Sequence, residues 1–296
     1  MTRDKSTLTT VAGRQLTVTN LDKVLYPDSG FTKGQVIDYY MQVAEVMLPH
    51  VQDRPLTMKR YPDGVEGESF FEKHLPEYAP DWVRHVAVPS EAGSIEYAVV
   101  CDLPTLVWAA NLATIEFHVP LWHVGRRRTL PGPPDHMVFD LDPGEGASIV
   151  ECCRVARSIV EGLDEGRAGC RPKTSGSKGL QLYVPMPGRP TWEKVRDRAH
   201  RIAAQLEQDQ PDLVVSTPRK SARTGKVLID WSQNHPAKTT VAAYSLRGRS
   251  EPTASTPLAW DEVDQCARGG DPASLRFTAD DVLDRIEEHG DLFATV

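Results

Sequence analysis

The sequence predicts a mixed α/β fold, of the α+β kind, for a chain of 296 residues. Short runs of strand-forming apolar residues alternate with longer runs in which apolar residues recur every three or four positions. Proline, glycine and capping residues stand between the two kinds of run. Strands and helices interleaved in this way, without an internal repeat, are typical of α/β and α+β proteins.

The predicted strands are runs of apolar, β-branched and aromatic residues. They cover 13–20, which is a hairpin arm, 54–61, 114–119, 136–143, 180–186 and 226–231. The predicted helices combine helical spacing with a capping residue or a proline at their start. They cover 32–47, 104–113, 148–163, 191–206 and 280–288, and Pro49 is expected to end the first of them. Cys152 and Cys153 lie on the apolar face of the third helix, which predicts a place in the core.

The length suits one large domain or two small ones. We interpret the chain as a single domain over 1–296, with a flexible tail at 1–10, a core at 11–250 and an acidic segment at 251–296 that packs back. A hydrophobic content of 40% and a charged content of 25% are ordinary for a globular protein. No run of about 18 apolar residues predicts a membrane span, and the polar N-terminus predicts no export. Five cysteines without a Cys-x-x-Cys pair indicate reduced thiols, as in a cytoplasm.

The charge is unevenly distributed. The net charge is −7, but residues 251–296 hold 11 acidic and 3 basic residues, so the rest of the chain is close to +1. Basic residues gather in 215–249, where Asp230 is the single acid, and again at 126–128. Such patches can bind phosphates on an acidic protein, although a solvated loop face explains them as well.

Two aspartates stand in one predicted strand. Asp140 and Asp142 share a face opposite to the apolar residues of the run 136–143. Because like charges repel and unpaired buried carboxylates are costly, a cation is expected between them. Mg²⁺ or Mn²⁺ prefers carboxylate oxygens and shares its site with substrate phosphates. An Asp-x-Asp pair also occurs by chance at a solvated strand end.

Two further segments strengthen the metal interpretation. The loop 174–179 offers two glycines for close backbone approach, two serine hydroxyls and a lysine for phosphate oxygens, without the order of a Walker A loop. A flexible hairpin turn is the alternative. Asp230 again places one acid in an apolar strand. A two-metal site needs about three carboxylates from separate strands, and Asp140, Asp142 and Asp230 would supply them.

The sequence resembles the polymerase domain of bacterial DNA ligase D, within the archaeo-eukaryotic primase superfamily. The resemblance covers nearly the whole chain, and its segments are 56–64, 70–74, 138–143, 175–180 and Asp230 with 233–234. It implies a primase-polymerase catalytic core with mixed and antiparallel sheets flanked by helices. It also implies a template-dependent nucleotidyltransferase that fills short gaps or ends in DNA repair by non-homologous end joining, often with ribonucleotides.

The resemblance assigns roles residue by residue. The catalytic residues and ligands of two Mn²⁺ or Mg²⁺ ions would be Asp140, Asp142 and Asp230. The residues binding the incoming nucleotide would be His118, Ser175, Lys178, Gln181, Gln233 and Arg247. The DNA-binding residues would be Lys23, Lys33, Lys59, Phe70, Phe71 and Arg223. Of these, Lys23 and Lys33 would hold a downstream 5′-phosphate, and Arg223 would lie in a mobile basic loop.

Several of these residues have ordinary alternatives. Core packing explains only one of Phe70 and Phe71, because consecutive strand residues face opposite ways. Lys33 lies at a predicted helix N-terminus, where free N–H groups favour anions. His118 could be a structural histidine, and Lys59 a solvated strand lysine. Gln181 stands where the family usually has histidine, and its neutral hydrogen bond to a phosphate would be weaker.

Two other functions stay open. A DNA-end-binding module that has lost turnover would keep this fold, and a metal-dependent nucleotide-sugar transferase also uses Asp-x-Asp. The second leaves the paired phenylalanines and the basic segment unexplained. Expected partners are gapped or broken DNA, nucleoside triphosphates and, by analogy, a separate DNA ligase and Ku in a bacterial cytoplasm, at the nucleoid. The chain has no Lys-x-Asp-Gly adenylation motif, so it is a stand-alone relative or an excised domain.

Overall fold

The computed structural model describes residues 6–91, 93–125, 130–164 and 166–294, and the predicted basic cluster at 126–128 lies outside these ranges. The helices in the described ranges are α1 (Lys33–Gln42), α2 (Ala44–Val51), α3 (Leu103–Asn111), α4 (Ile149–Glu161), α5 (Trp192–Asp209), α6 (Trp260–Ala267) and α7 (Ala279–His289). The strands in the same ranges are β1 (Ser6–Val11), β2 (Arg14–Thr19), β3 (Val24–Tyr26), β4 (Phe31–Thr32), β5 (Thr57–Arg60), β6 (Phe70–Glu72), β7 (His85–Ser90), β8 (Gly93–Ala98), β9 (Thr114–Val119), β10 (His136–Pro143), β11 (Arg171–Thr174), β12 (Leu180–Pro185), β13 (Val214–Val215), β14 (Val227–Asp230) and β15 (Thr240–Val241).

Two sheets carry the architecture, and they confirm the mixed α/β class. The larger has the strand order β11-β12-β10-β14-β13, with β13 and β14 parallel and its other pairs antiparallel. The smaller has the order β15-β9-β5-β6 and is antiparallel. Hairpins β1-β2, β3-β4 and β7-β8 lie outside both sheets. The strand that holds the two central acids, β10, is therefore in the middle of the larger sheet.

The helices cover the sheets in the way that their sequence patterns predict. Capping boxes at Thr32 and Ser148 open α1 and α4. The apolar face of α4 packs on β10, and Cys152 and Cys153 are fully buried there, as expected. All five cysteines are free thiols. Within the described ranges, no helix is both long and apolar enough to cross a bilayer.

Two local predictions were wrong. The segment predicted to fray at 1–10 forms β1 from Ser6 onward, because it pairs along its length with β2 in a hairpin. Pro49 does not end the first helix but lies inside α2, and the helical segment is interrupted at Val43 instead. Proline inside a helix removes one i→i−4 hydrogen bond and crowds the preceding turn, and here the helix continues for only two residues beyond it.

The acidic C-terminal segment lies against the larger sheet. Residues 252–258 are buried, and the backbone N–H groups of Thr256 and Leu258 donate to Thr174 Oγ1 and to the Pro172 carbonyl at the sheet edge. Ala254 donates to the Phe277 carbonyl, which ties this stretch to the segment before α7. The segment therefore supports the loop that follows β11.

Candidate active site

A cleft of about 490 Å³ is lined by residues of both larger sheets. β9 and β15 form one side, and β10, β12 and the loop 175–179 form the other. Predicted site residues that line it are His118, Asp140, Asp142, Ser175, Lys178, Gln181, Arg223, Gln233 and Arg247. Residues from distant parts of the sequence thus meet around one polar cavity.

The three predicted catalytic carboxylates come together, and we call them the Asp140 cluster (Asp140, Asp142 and Asp230). Asp140 of β10 lies directly opposite Asp230 of β14 in the antiparallel register, and Asp142 lies two residues further along β10. Directly opposed residues of antiparallel strands have Cβ atoms about 5 Å apart. The apolar residues of β10 are buried on the other face, so the pleat aims the acids away from the core.

The charge of Asp140 is poorly compensated. Burial, together with the neighbouring charges of Asp142 and Asp230, raises the pKa of Asp140 to about 7, although the Gln181 hydrogen bond and the Lys173 charge act to lower it. Like charges that share a site disfavour ionisation in this way. The cluster therefore gains from any cation that approaches through the cleft.

The donor set fits a hard divalent ion in its chemistry, since it consists of carboxylate oxygens at the rim of a phosphate-sized cleft. As the side chains stand, no set of three or more His, Cys, Asp or Glu side chains in the described ranges is arranged to hold a metal ion. The Asp230 carboxylate is engaged within the protein, since its Oδ1 accepts from Ser232 N at 3.0 Å and its Oδ2 accepts from Gln233 Nε2 at 3.2 Å.

The loop 175–179 is both a hairpin turn between β11 and β12 and a wall of the cleft. Ser175 Oγ accepts from Gly179 N at 3.1 Å, and Ser175 N donates to the Gly179 carbonyl. The glycines of this loop also have a structural reason within the protein. A Cβ on Gly179 would lie 2.2 Å from Leu141 O, and one on Gly176, at φ +67°, would lie 2.6 Å from the Ala254 carbonyl carbon. The glycines let the loop approach its own chain, which holds Lys178 at the cleft.

Gln181 is engaged with the protein rather than open to a phosphate. It pairs with Asp140 across β10 and β12, and its Nε2 donates to Asp140 Oδ1 at 3.1 Å. Its Oε1 accepts from Lys173 Nζ at 2.6 Å, and Lys173 is fully buried. Burial lowers the pKa of Lys173 well below its ordinary value. Gln181 thus orients Asp140, a contact that the phosphate interpretation of Gln181 did not foresee.

Glu116 is a site residue that sequence reasoning missed. It is buried on β9, on the same strand face as His118, and we call its surroundings the Glu116 cluster (Glu116 with Lys59, Tyr61, His118, Arg247 and Gly248). Burial alone would raise its pKa, but the hydrogen bond from His118 and the Arg247 charge hold the pKa of Glu116 well below its ordinary range. An acid two residues before His118 in an otherwise apolar strand was the available signal, because residues i and i+2 share a face.

The two phenylalanines are both exposed. Phe70 and Phe71 of β6 are 44% and 56% exposed, so the core-packing alternative explains neither of them. β6 is the edge strand of its sheet, which leaves both rings uncovered. The Phe71 ring packs edge-on against His118 at 5.4 Å between centroids, and Lys59 Nζ lies 5.5 Å from the Phe71 centroid. Phe71 and Lys59 therefore lie beside His118, which lines the cleft, whereas the Phe70 ring packs on Arg60.

Lys23 and Lys33 lie together, away from the cleft lining. Lys33 N donates to the Lys23 carbonyl at 2.8 Å. Lys23 Nζ pairs with Asp63 at 2.9 Å, and Lys33 is 5% exposed with its Nζ 2.6 Å from the Thr19 carbonyl. The expected free N–H groups at this helix start are absent, because the amides of Lys33, Gly34 and Gln35 already donate within the protein. An anion here would depend on the ammonium groups alone.

Two arginines near the cleft, Arg223 and Arg247, differ in their hydrogen bonds to the protein. Arg223 Nη2 donates to the Pro218 carbonyl, and the loop around Arg223 is tied to the turn after β10, because Gly225 N donates to the Glu145 carbonyl. Arg247 and Arg223 each have a buried Nε without a hydrogen-bond partner. Both guanidinium groups border the cleft that the acids occupy, so the cleft has an acidic floor and a cationic rim.

The cleft combines a carboxylate cluster with lysine and arginine side chains. This arrangement suits an enzyme that transfers phosphoryl or nucleotidyl groups. The chain belongs to the family of LigD primase-polymerase domains, whose family model matches residues 32–293. It is accordingly a nucleotidyltransferase of the primase-polymerase class.

Curated relatives and a solved structure agree with this assignment. The chain is 45% identical over 277 residues to the multifunctional non-homologous end joining protein LigD of Mycolicibacterium smegmatis, covering 94% of this chain and 35% of that protein. It is 35% identical over 277 residues to the bifunctional LigD of Bacillus subtilis, covering 93% and 43%. The polymerase domain of Mycobacterium tuberculosis ligase D, solved in complex with DNA, matches with a TM-score of 0.87 and 45% identity over 94% of this chain and 96% of that one. The chain thus spans about a third to two fifths of the length of these curated relatives.

Proposed function

We propose that this protein is a template-dependent nucleotidyltransferase that fills short gaps or ends during DNA end joining. The observation that carries the proposal is the direct pairing of Asp140 with Asp230 on neighbouring strands, with Asp140, Asp142 and Lys178 lining one cleft. The relationship to LigD proteins, which are named for non-homologous end joining, supports the repair setting.

The chain's own residues divide the work. Asp140, Asp142 and Asp230 would hold two divalent ions, Mn²⁺ or Mg²⁺. When bound, these ions would lower the pKa of a primer 3′-hydroxyl and neutralise the departing pyrophosphate. Gln181 holds the Asp140 carboxylate in place from β12, with buried Lys173 behind it.

The triphosphate would lie against the cationic rim. Lys178 would reach its oxygens from the 175–179 loop with Ser175, and Arg247 would add a planar fork that suits phosphate geometry. His118 and Gln233 line the same cleft on its two sides and would orient the nucleotide. These groups would align the α-phosphate with the primer hydroxyl for in-line attack.

The DNA would approach along the edge of the smaller sheet. Phe70 and Phe71 are exposed, so that an unpaired template base could stack on them, and Arg223 lines the cleft. Lys59 would contact the DNA from beside Phe71. Base stacking on an aromatic ring contributes about 1–3 kcal/mol. Lys23 and Lys33 would bind a 5′-phosphate on the downstream strand.

The setting follows from the same relationship. We propose that the chain works as one domain on gapped or broken DNA, with ribonucleoside or deoxyribonucleoside triphosphates, beside a DNA ligase and Ku at the nucleoid of a bacterial cytoplasm. The neighbour solved with DNA supports a DNA partner.

A primer-extension assay tests the proposal. Labelled blunt, nicked and gapped DNA, with and without a 5′-phosphate, is incubated with each nucleotide in Mg²⁺, Mn²⁺ or EDTA. We expect extension of the gapped, phosphorylated substrate with either ion and none in EDTA. Tight binding of the DNA without extension under every condition would instead identify an end-binding module that has lost turnover.

A further inference from the structure

Glu116 accepts or pairs with five groups from separate places in the chain. Its partners are Tyr61 OH at 2.6 Å, His118 Nε2 at 2.9 Å, Gly248 N at 3.2 Å, Lys59 Nζ at 3.3 Å and Arg247 Nε at 3.5 Å. We propose that Glu116 is a positioning residue of the nucleotide site, which sets the direction in which His118 and Arg247 face an incoming triphosphate. This inference rests on the proposed function and deepens it.

The geometry decides which nitrogen of His118 a ligand meets. Nε2 lies 2.9 Å from Glu116 Oε2, and an ionised carboxylate can only accept, so Nε2 keeps its hydrogen. Nδ1 is then the ring nitrogen left for a ligand in the cleft that His118 lines. Orienting a histidine through the hydrogen bond of its other nitrogen is a general device of functional sites.

The same carboxylate fixes the loop that bears Arg247. Gly248 N donates to Glu116 Oε1, and a Cβ on Gly248 would lie 2.2 Å from the Tyr61 ring, so this turn lies directly on Tyr61. Arg247 Nε is buried 3.5 Å from Glu116 Oε2 without a hydrogen bond. The attraction holds the Nε end of Arg247 at Glu116, and the residue lines the cleft.

The position of Glu116 relative to the cleft separates positioning from direct binding. Glu116 is 2% exposed and does not line the cleft, whereas His118 and Arg247 do. Its negative charge would repel a triphosphate if it reached one. The favourable effect of Glu116 must therefore pass through His118 and through the Lys59 and Arg247 cations, which would otherwise repel each other.

The chain offers a matched control in the Asp135 cluster (Asp135 with Arg54, His123 and His136). Asp135 accepts from Arg54 and pairs with His123 Nε2 at 2.9 Å and His136 Nδ1 at 3.2 Å. It borders a different cavity, of about 230 Å³. Loss of charge at Asp135 disturbs a comparable ion network away from the nucleotide cleft.

The test compares Glu116→Gln with Asp135→Asn. In Glu116→Gln the amide can keep the Tyr61 and Gly248 contacts but turns an NH₂ group toward His118 and Arg247. We expect KM for the nucleotide on gapped DNA to rise about tenfold or more, because hydrogen bonds to charged groups contribute that much, with kcat changed far less. Asp135→Asn should leave this KM within about twofold.

A spectroscopic readout makes the test independent of turnover. In ¹⁵N-histidine spectra of the full chain, wild type should show His118 protonated at Nε2, and Glu116→Gln should show a mixture of tautomers. An unchanged tautomer, or an unchanged KM in folded Glu116→Gln, would overturn the proposal. If that variant does not fold, Glu116→Asp, which withdraws the charge by one methylene, should raise KM in the same direction, and no rise would overturn it.

The two proposals can fail separately. If wild type extends no primer, the proposed function fails, while direct titration with a nucleoside triphosphate and the His118 spectrum still judge Glu116. If wild type extends primers but Glu116→Gln matches it in KM and in tautomer, only the role of Glu116 is rejected.

Discussion

Glu116 and Asp140 lie on either side of one cleft, and their electrostatic surroundings are opposite. Glu116 has two cations and a histidine within 3.5 Å, and its pKa lies well below its ordinary range in spite of burial. Asp140 has two other acids beside it and a neutral amide as hydrogen-bond donor, and its pKa is raised to about 7. The negative charge of the carboxylate is thus more than balanced at Glu116 and insufficiently balanced at Asp140.

This difference in charge compensation distinguishes a carboxylate with a structural role from a carboxylate that can bind a ligand. A carboxylate with its full set of internal partners stabilises the arrangement around it and has little affinity left for a ligand. A carboxylate cluster without enough positive charge destabilises the folded chain until a cation arrives. The Asp140 cluster is of the second kind, and the contrast can be tested directly.

The largest expected effect is the loss of catalysis when the charge of Asp140 is removed. Asp140→Asn keeps the shape of the side chain but removes its charge, and we expect primer extension to fall by about a thousandfold or more, since ion-assisted charge stabilisation contributes several kcal/mol. Binding of gapped DNA, measured by fluorescence anisotropy, should remain within a few-fold. Extension at a normal rate by this variant would remove Asp140 from the mechanism.

Stability should respond in opposite directions at the two acids. Glu116→Gln leaves buried cations without their partner and should lower the free energy of unfolding by about 3 kcal/mol at neutral pH. Asp140→Asn removes a poorly compensated charge and should leave that free energy unchanged or raise it. Urea denaturation of the two variants beside wild type measures both, and equal destabilisation would abolish the contrast.

The pH dependence has a sign that follows from the pKa directions. A depressed pKa means that Glu116 stabilises the fold above its ordinary titration range and loses that contribution as the pH falls. A raised pKa means that Asp140 costs stability increasingly between about pH 4 and its folded value of about 7. The Tm of Asp140→Asn should therefore rise relative to the Tm of wild type as the pH increases from 5 to 8. A Tm difference that does not change with pH would contradict the raised pKa of Asp140.

Metal addition should cancel part of that cost. Mn²⁺ at pH 8 should raise the Tm of wild type by several degrees, and less at pH 6, because the ion must then displace a proton from the acids. Asp140→Asn serves as the control and should show little shift at either pH. An equal shift in wild type and in the variant would locate the bound ion elsewhere.

The smallest effect on stability is expected at Lys23, which forms an exposed pair with Asp63. Lys23→Ala should change the free energy of unfolding by less than about 1 kcal/mol. Lys33→Ala should cost more, since its buried ammonium bonds Thr19. Together the two changes should weaken binding of gapped DNA with a 5′-phosphate more than binding of the same DNA without one. Equal losses would reject the phosphate role.

The sequence predicted the parts of the site that depend on spacing. Asp140 and Asp142 share a strand face because side chains alternate, and the capping boxes at Thr32 and Ser148 open helices because their hydrogen bonds are local. Exposure of Phe70 and Phe71 was not predictable, since it depends on which strand lies at the edge of the sheet.

The sequence alone determined the class of fold, the positions of the acids on their strands and the Gly/Ser/Lys loop. These features depend on alternation, periodicity and capping over a few residues. Only the tertiary structure decided that Asp230 pairs with Asp140 from 90 positions away and that Glu116 meets Lys59 and Arg247 from two remote segments. The physical reason is that strand register and burial arise from packing between remote segments. Strand register and burial, rather than residue type, make Glu116 a positioning residue and Asp140 a candidate metal ligand.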